Sequence, residues 1–161
     1  MNYYMLGLSL MFVSRDGLKN IKKEDAKGDK LALDSIDIYN TLPSNGSKSG
    51  SSSSTTTYQT YPVSELTLSL VPLKDGKERA KEVKISPSSS GKDFVAVLGE
   101  PDRKGGGGGP SQGSVDIWCE WSGDGIMIEF GGEEAKGPKA WETAKDAKWK
   151  VLTLFRPPGG K

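Results

Sequence analysis

Phe94-Val-Ala-Val-Leu-Gly-Glu-Pro101, then Asp116-Ile-Trp-Cys-Glu-Trp121 and Gly125-Ile-Met-Ile-Glu-Phe130, decide the fold class of this chain. The first stretch spaces Phe94, Val95 and Leu98 along one side of a short helix over 92–98, with the serines of 86–90 ahead of it as N-cap candidates. Gly99 fits the left-handed position after a helix, and Pro101 stops continuation. The second stretch alternates. Ile117, Cys119 and Trp121 fall on one strand face, and Asp116, Trp118 and Glu120 on the other. Ser122-Gly-Asp-Gly125 has the composition of a hairpin turn, after which Ile126, Ile128 and Phe130 face inward against Met127 and Glu129. A helix followed by such a hairpin calls for an α+β domain built on a mostly antiparallel sheet, with the 92–98 helix packed on it.

The same period-two pattern recurs on both sides. Downstream, 131–148 is polar with a short helix around 140–147, and 148–155 reads as a final strand. That strand sets Trp149, Val151, Thr153 and Phe155 against Lys150, Leu152 and Leu154, so cover on both faces is expected. Upstream, Leu66, Leu68 and Leu70 alternate with Thr67 and Ser69, and Val83 and Ile85 mark a return strand, which makes 65–85 a long hairpin. Within 31–39, Ile36 and Ile38 alternate with Asp37 and Tyr39 as in a half-buried strand. The most apolar run, 1–13, lacks the basic n-region and small-residue cleavage site of a signal peptide. It also falls short of the ~20 residues a membrane helix needs. It reads as a buried strand or short helix of the core, with strand favoured by its Tyr, Phe and Val.

Two tracts cannot offset their ordering entropy by apolar burial: the Ser/Thr/Gly run of 44–57 and the glycine run of 104–113. Both are expected to be disordered insertions in one domain spanning 1–161.

Composition removes whole classes of function. The 22 basic and 21 acidic side chains nearly cancel, so the balance gives no electrostatic case for nucleic acid, which would need a clustered basic surface, or for an anionic membrane. The chain has no histidine, the commonest metal ligand and general base, and its one cysteine, Cys119, has no thiolate companion for zinc or for an intrachain disulfide. A reducing, cytoplasmic location and no metal or cofactor are therefore expected. Cys119, mid-strand beside Ile117 and Trp121, reads as a buried, inert thiol. The five glycines of 105–109 do not make a phosphate loop, since they follow a helix, precede a strand and lack a closing Gly-Lys-Ser/Thr. In 132–137 the glycine spacing returns, but Pro138 stands where the lysine is required.

What remains lies on the outward face of the 116–130 hairpin. Asp116, Glu120 and Glu129 share that face if the two strands pair through the Ser122 turn. They read as solvated carboxylates, with the acid–base pair of a small hydrolase or lyase as the alternative. Trp118 and Met127 stand among them. Together with Trp141, Glu120 and Glu129 they form the candidate surface for a protein partner. A structural subunit of a larger complex is the third reading.

The order helix, Leu98-Gly99-Glu100-Pro101, loop, aromatic strand 116–121, Gly125-Ile126 hairpin and final strand resembles the module of bacterial outer-membrane assembly lipoproteins of the SmpA/OmlA kind. It is also similar to the eukaryotic phagosome assembly factor family, which places Leu-Gly-x-Pro before an aromatic strand. The resemblance covers about 60 of the 161 residues. The chain departs from the lipoproteins in having no lipobox cysteine, and from the phagosome family in length. The resemblance implies a non-enzymatic adaptor whose sheet contacts a partner, and it assigns a role to no individual residue.

Overall fold

Alternating apolar side chains can hide from water only on one side of a strand, so the strands assemble with those sides together. A computed structural model describes residues 1–17, 28–41, 57–73, 78–107 and 116–158. Its strands are β1 (Asn2–Tyr3), β2 (Leu8–Ser14), β3 (Leu31–Tyr39), β4 (Leu66–Ser69), β5 (Glu82–Ile85), β6 (Arg103–Gly105), β7 (Trp118–Trp121), β8 (Ile126–Gly131) and β9 (Lys148–Phe155). Helix α1 is Gly91–Leu98, and α2 is Ala140–Thr143, continued by a 3-10 turn to Asp146. Seven strands form one antiparallel sheet in the order β1-β2-β3-β9-β8-β7-β6, and β4 and β5 form a separate antiparallel pair. This is the expected α+β architecture, with the 65–85 hairpin standing apart from the main sheet.

The register makes the inner face explicit. One row runs Leu8, Ile38, Leu152, Ile128, Cys119, and the next runs Leu10, Ile36, Leu154, Ile126, Trp121. Phe94 and Leu98 of α1, Val83 and Ile85 of β5, and the half-buried Leu66, Leu68 and Leu70 pack with all of these rows except Leu10 in one hydrophobic cluster. Phe94 meets Phe130 edge to face, with ring centres 6.1 Å apart. Each such fully buried side chain contributes roughly 1.5–3 kcal/mol in transfer from water.

Local chemistry explains the bounds of α1. The Asp93 carboxylate reaches back to accept from the Ser90 backbone N–H and hydroxyl, both at 2.8 Å, which satisfies a donor that the helix itself leaves open. At the other end the Gly99 N–H donates to the Val95 carbonyl at 2.9 Å. Gly99 has φ +81° and ψ −167°. Its φ is positive as expected, but its ψ is extended rather than left-handed helical, a region open essentially to glycine alone.

Three expectations are corrected. The apolar run 1–13 forms β1, a 3-10 turn (Tyr4–Leu6) and most of β2 at the sheet margin, not a buried core element. Met1, Met5, Met11, Phe12 and Val13 are exposed. For Phe12 and Val13 the reason is topological: β9 pairs with β3 only from Ser35 onward, so the far end of the β2–β3 ribbon runs past the sheet. Met1 and Met5 lie before and after the edge strand β1. In β9, the register passes from Glu129 opposite Val151 to Phe130 opposite Trp149, leaving Lys150 as an extra residue. This bulge turns Trp149 inward with Leu152 and Leu154, away from the face carrying Val151, Thr153 and Phe155. Finally, Lys104 and Gly105 belong to β6, so the second low-complexity tract begins as a strand. The remainder of that tract from 108 onward, and 44–56 of the first, lie outside the described residues.

Polar ties close the packing. Asn40, 4% exposed, donates through Nδ2 to the carbonyls of Pro87 and Trp149, each at 2.9 Å. The Trp149 indole N–H donates to the Ser86 carbonyl at 2.8 Å.

Candidate functional site

The outward face of the sheet is the reciprocal of the core. Residues directly paired across strands share a face, so the register writes out its rows. One row runs Ser9, Asp37, Thr153, Met127, Glu120, Arg103, and its neighbour runs Tyr39, Val151, Glu129, Trp118, Gly105. None of these residues is buried, whereas six of the ten side chains in the two inner rows are.

Four of the five residues singled out in the sequence meet here. Trp118 lies opposite Glu129 and Glu120 opposite Met127, so the four form one block across β7 and β8. Trp141 does not join them. Its ring centre lies 5.5 Å from the Lys104 ammonium, and Lys104 pairs with the inward-facing Cys119. The nearest neighbours of a Cβ built on Gly107 are Ile117, fully buried, and the Trp141 indole. Trp141 therefore sits at the rim of the packed side, 40% exposed, and its segment does not cover Trp118. Alternation within one strand could not reveal this, because α2 is placed by tertiary packing.

Trp118 lies flat against β6. A Cβ at Gly105 would approach its ring atoms to between 2.6 and 2.9 Å, so only glycine lets the indole rest on the edge strand. The Arg103 guanidinium stands 6.0 Å from the ring centre on the same face, within cation–π range.

The carboxylates are all engaged. The Lys150 ammonium donates to Asp116 at 2.7 Å and to Glu129 at 3.0 Å. Partial burial lowers the pKa of Lys150, but the hydrogen bonds to Asp116 and Glu129 more than reverse this, so it lies above the ordinary lysine value. Glu120 accepts from Arg103 at 3.4 Å and from the Ser122 hydroxyl. Further along, Thr153 donates to Asp37 at 2.8 Å. Tyr39 stacks on Tyr58 with ring centres 3.7 Å apart, and Tyr58 also meets Tyr4 at 4.6 Å. Burial, then the charge of Asp37, raises the Tyr39 pKa, which keeps the phenol neutral. Cys119 is buried, and that burial raises its thiol pKa.

Lys150, Val151, Tyr39, Tyr58 and Arg103 escaped the sequence reading. The bulge at Lys150 breaks the phase that would have grouped it with Glu129. Tyr58 adjoins a low-complexity tract, and Arg103 lies next to the glycine run. Tyr39 and Val151 had a readable signal, their alternation with Ile38 and Leu152.

Among the described residues no group of three or more His, Cys, Asp or Glu side chains converges as a metal site, and no helix is long and apolar enough to cross a membrane. No protein-family model, curated protein or solved structure matches the chain.

Proposed function

We propose that the chain is a non-enzymatic binding module, a cytoplasmic adaptor that docks a protein partner on the outward face of its seven-stranded sheet. The observation that carries this reading is the asymmetry of the two faces. The inner rows are packed into the core, while the outer rows hold Trp118, Met127, Val151 and Tyr39, none of them buried. Around this centre stand Arg103–Glu120 and the Lys150 pairs with Asp116 and Glu129. An apolar, aromatic centre with a charged rim is the usual anatomy of a protein interface. The same ion pairs favour docking over a hydrolase or lyase, since Asp116 and Glu129 share one ammonium instead of standing apart as acid and base. The resemblance to the SmpA/OmlA and phagosome assembly modules implies the same class of role.

The test is recovery of a partner from the native cell with tagged wild-type protein, followed by Trp118→Ala and Met127→Arg. Trp118→Ala is expected to weaken the recovered complex by ~2 kcal/mol, a hot-spot magnitude. Its cost in stability should stay well below the ~3 kcal/mol of truncating a buried aromatic. Unchanged binding in both variants, or a stability loss of that larger size, overturns the reading.

A further inference from the structure

Strand β6 ends the sheet order, so no described strand pairs with the outer side of its backbone. Its Arg103 and Lys104 are exposed. The pleat sends these two cations to opposite faces, Arg103 beside Trp118 and Lys104 beside Trp141. The edge is thus bracketed by a tryptophan and a cation above and below.

The four tryptophans divide into two kinds. Trp121 and Trp149 are each 3% exposed, and their indole N–H groups donate to the carbonyls of Gly99 at 2.9 Å and Ser86 at 2.8 Å. Trp118 is half-buried and Trp141 exposed, and neither indole N–H has an acceptor among the described residues. The two indoles whose N–H groups are not taken up by the described residues both stand at β6, where they are accessible to a ligand. Arg103 is shared with Glu120, but no described carboxylate pairs with Lys104.

We propose that the β6 edge takes up an extended acidic peptide as an added strand of the sheet. This rests on the reading of the chain as a partner-binding module and names the chemistry of the partner. Main-chain hydrogen bonds to β6 supply the docking geometry, and the alternation of an extended strand lays successive side chains on Trp118 and on Trp141. Carboxylates on that strand meet Arg103, Lys104 and the two indole N–H donors. Charge excludes a second copy of this chain as the occupant, because β6 against β6 would bring Arg103 and Lys104 of both copies together. An acidic strand turns the same charges into attraction.

The probe is a fluorescein-labelled (Glu-Val)4 peptide, followed by anisotropy and by tryptophan fluorescence on the whole chain. Binding is expected for it and not for (Lys-Val)4. N-methylation at every residue, which removes the backbone donors, and Lys104→Glu should each weaken binding by about tenfold or more. Absence of binding, equal binding of the lysine peptide, or indifference to both N-methylation and Lys104→Glu overturns the edge inference. Met127→Arg separates the two readings, since Met127 lies on the outward face two strands from β6. If the acidic peptide fails while Met127→Arg still abolishes partner recovery, the edge inference falls and the docking face stands. If the peptide binds and partner recovery ignores Met127→Arg but is lost with Lys104→Glu, the face reading falls and the edge stands.

Discussion

Arg79 holds Asp124 through two guanidinium nitrogens, Nη1 donating to Oδ2 at 2.9 Å and Nη2 to Oδ1. Their side chains are only 11% and 8% exposed. Arg79 precedes β5 of the two-stranded sheet, and Asp124 lies in the turn between β7 and β8 of the large one. The pair therefore clamps the two sheets together. Arg79 Nη2 also donates to the Val71 carbonyl, and the hydrogen bond to Asp124 is the main cause of its raised pKa.

Removing one partner leaves the other charge desolvated and alone, which costs more than the pair contributes. Arg79→Met is expected to lower stability by ~3 kcal/mol, and the double variant Arg79→Met/Asp124→Leu by clearly less than the sum of the two single changes. Urea unfolding followed by tryptophan fluorescence measures all three. Additive losses would show that the two charges do not act as a unit.

Asp93 titrates below the ordinary carboxylate value, chiefly because the Ser90 backbone N–H and then its hydroxyl stabilise the ionised form. A depressed folded-state pKa gives stability that is present above the unfolded value and is lost as pH falls through the folded one. Asp93→Ala should thus cost ~1 kcal/mol at neutral pH, and the gap to wild type should narrow as pH drops below about 4. Melting temperatures of both proteins across that range check the sign. A gap independent of pH would mean that charge plays no part in the cap.

Nothing lies within 4 Å of where a Cβ on Gly99 would sit, so any cost of Gly99→Ala comes from the backbone alone. At φ +81° and ψ −167° that cost is expected to be ~1–2 kcal/mol, read from chemical denaturation. A neutral result would show that the chain leaves α1 equally well at negative φ.

Much of the fold was legible because its signals are local. The α1 helix, its stop at Gly99, the β7–β8 turn and the span of β9 each follow from a handful of neighbouring residues. Of the candidate site, the block of Trp118, Glu120, Met127 and Glu129 was legible for the same reason, since a hairpin with period two leaves one way to share a face. The place of Trp141 was not legible, because it depends on how α2 packs, which no periodicity encodes. The bulge at Lys150 was hidden because an extra residue costs nothing in the pattern until the partner strand sets the register.

By itself, then, the sequence determined which segments extend, where α1 begins and ends, and which side of each regular strand is apolar. These follow from side-chain period, capping and glycine conformation, all settled within a few residues. Tertiary structure alone decided that 1–13 lies exposed at a margin and that Asn40 joins Trp149 to Pro87. It alone decided that Arg79 meets Asp124, and that Trp118 and Trp141 stand on opposite sides of β6. Each of these relations is made by residues distant in the chain, and their free energy exists only once the sheet order has brought them together.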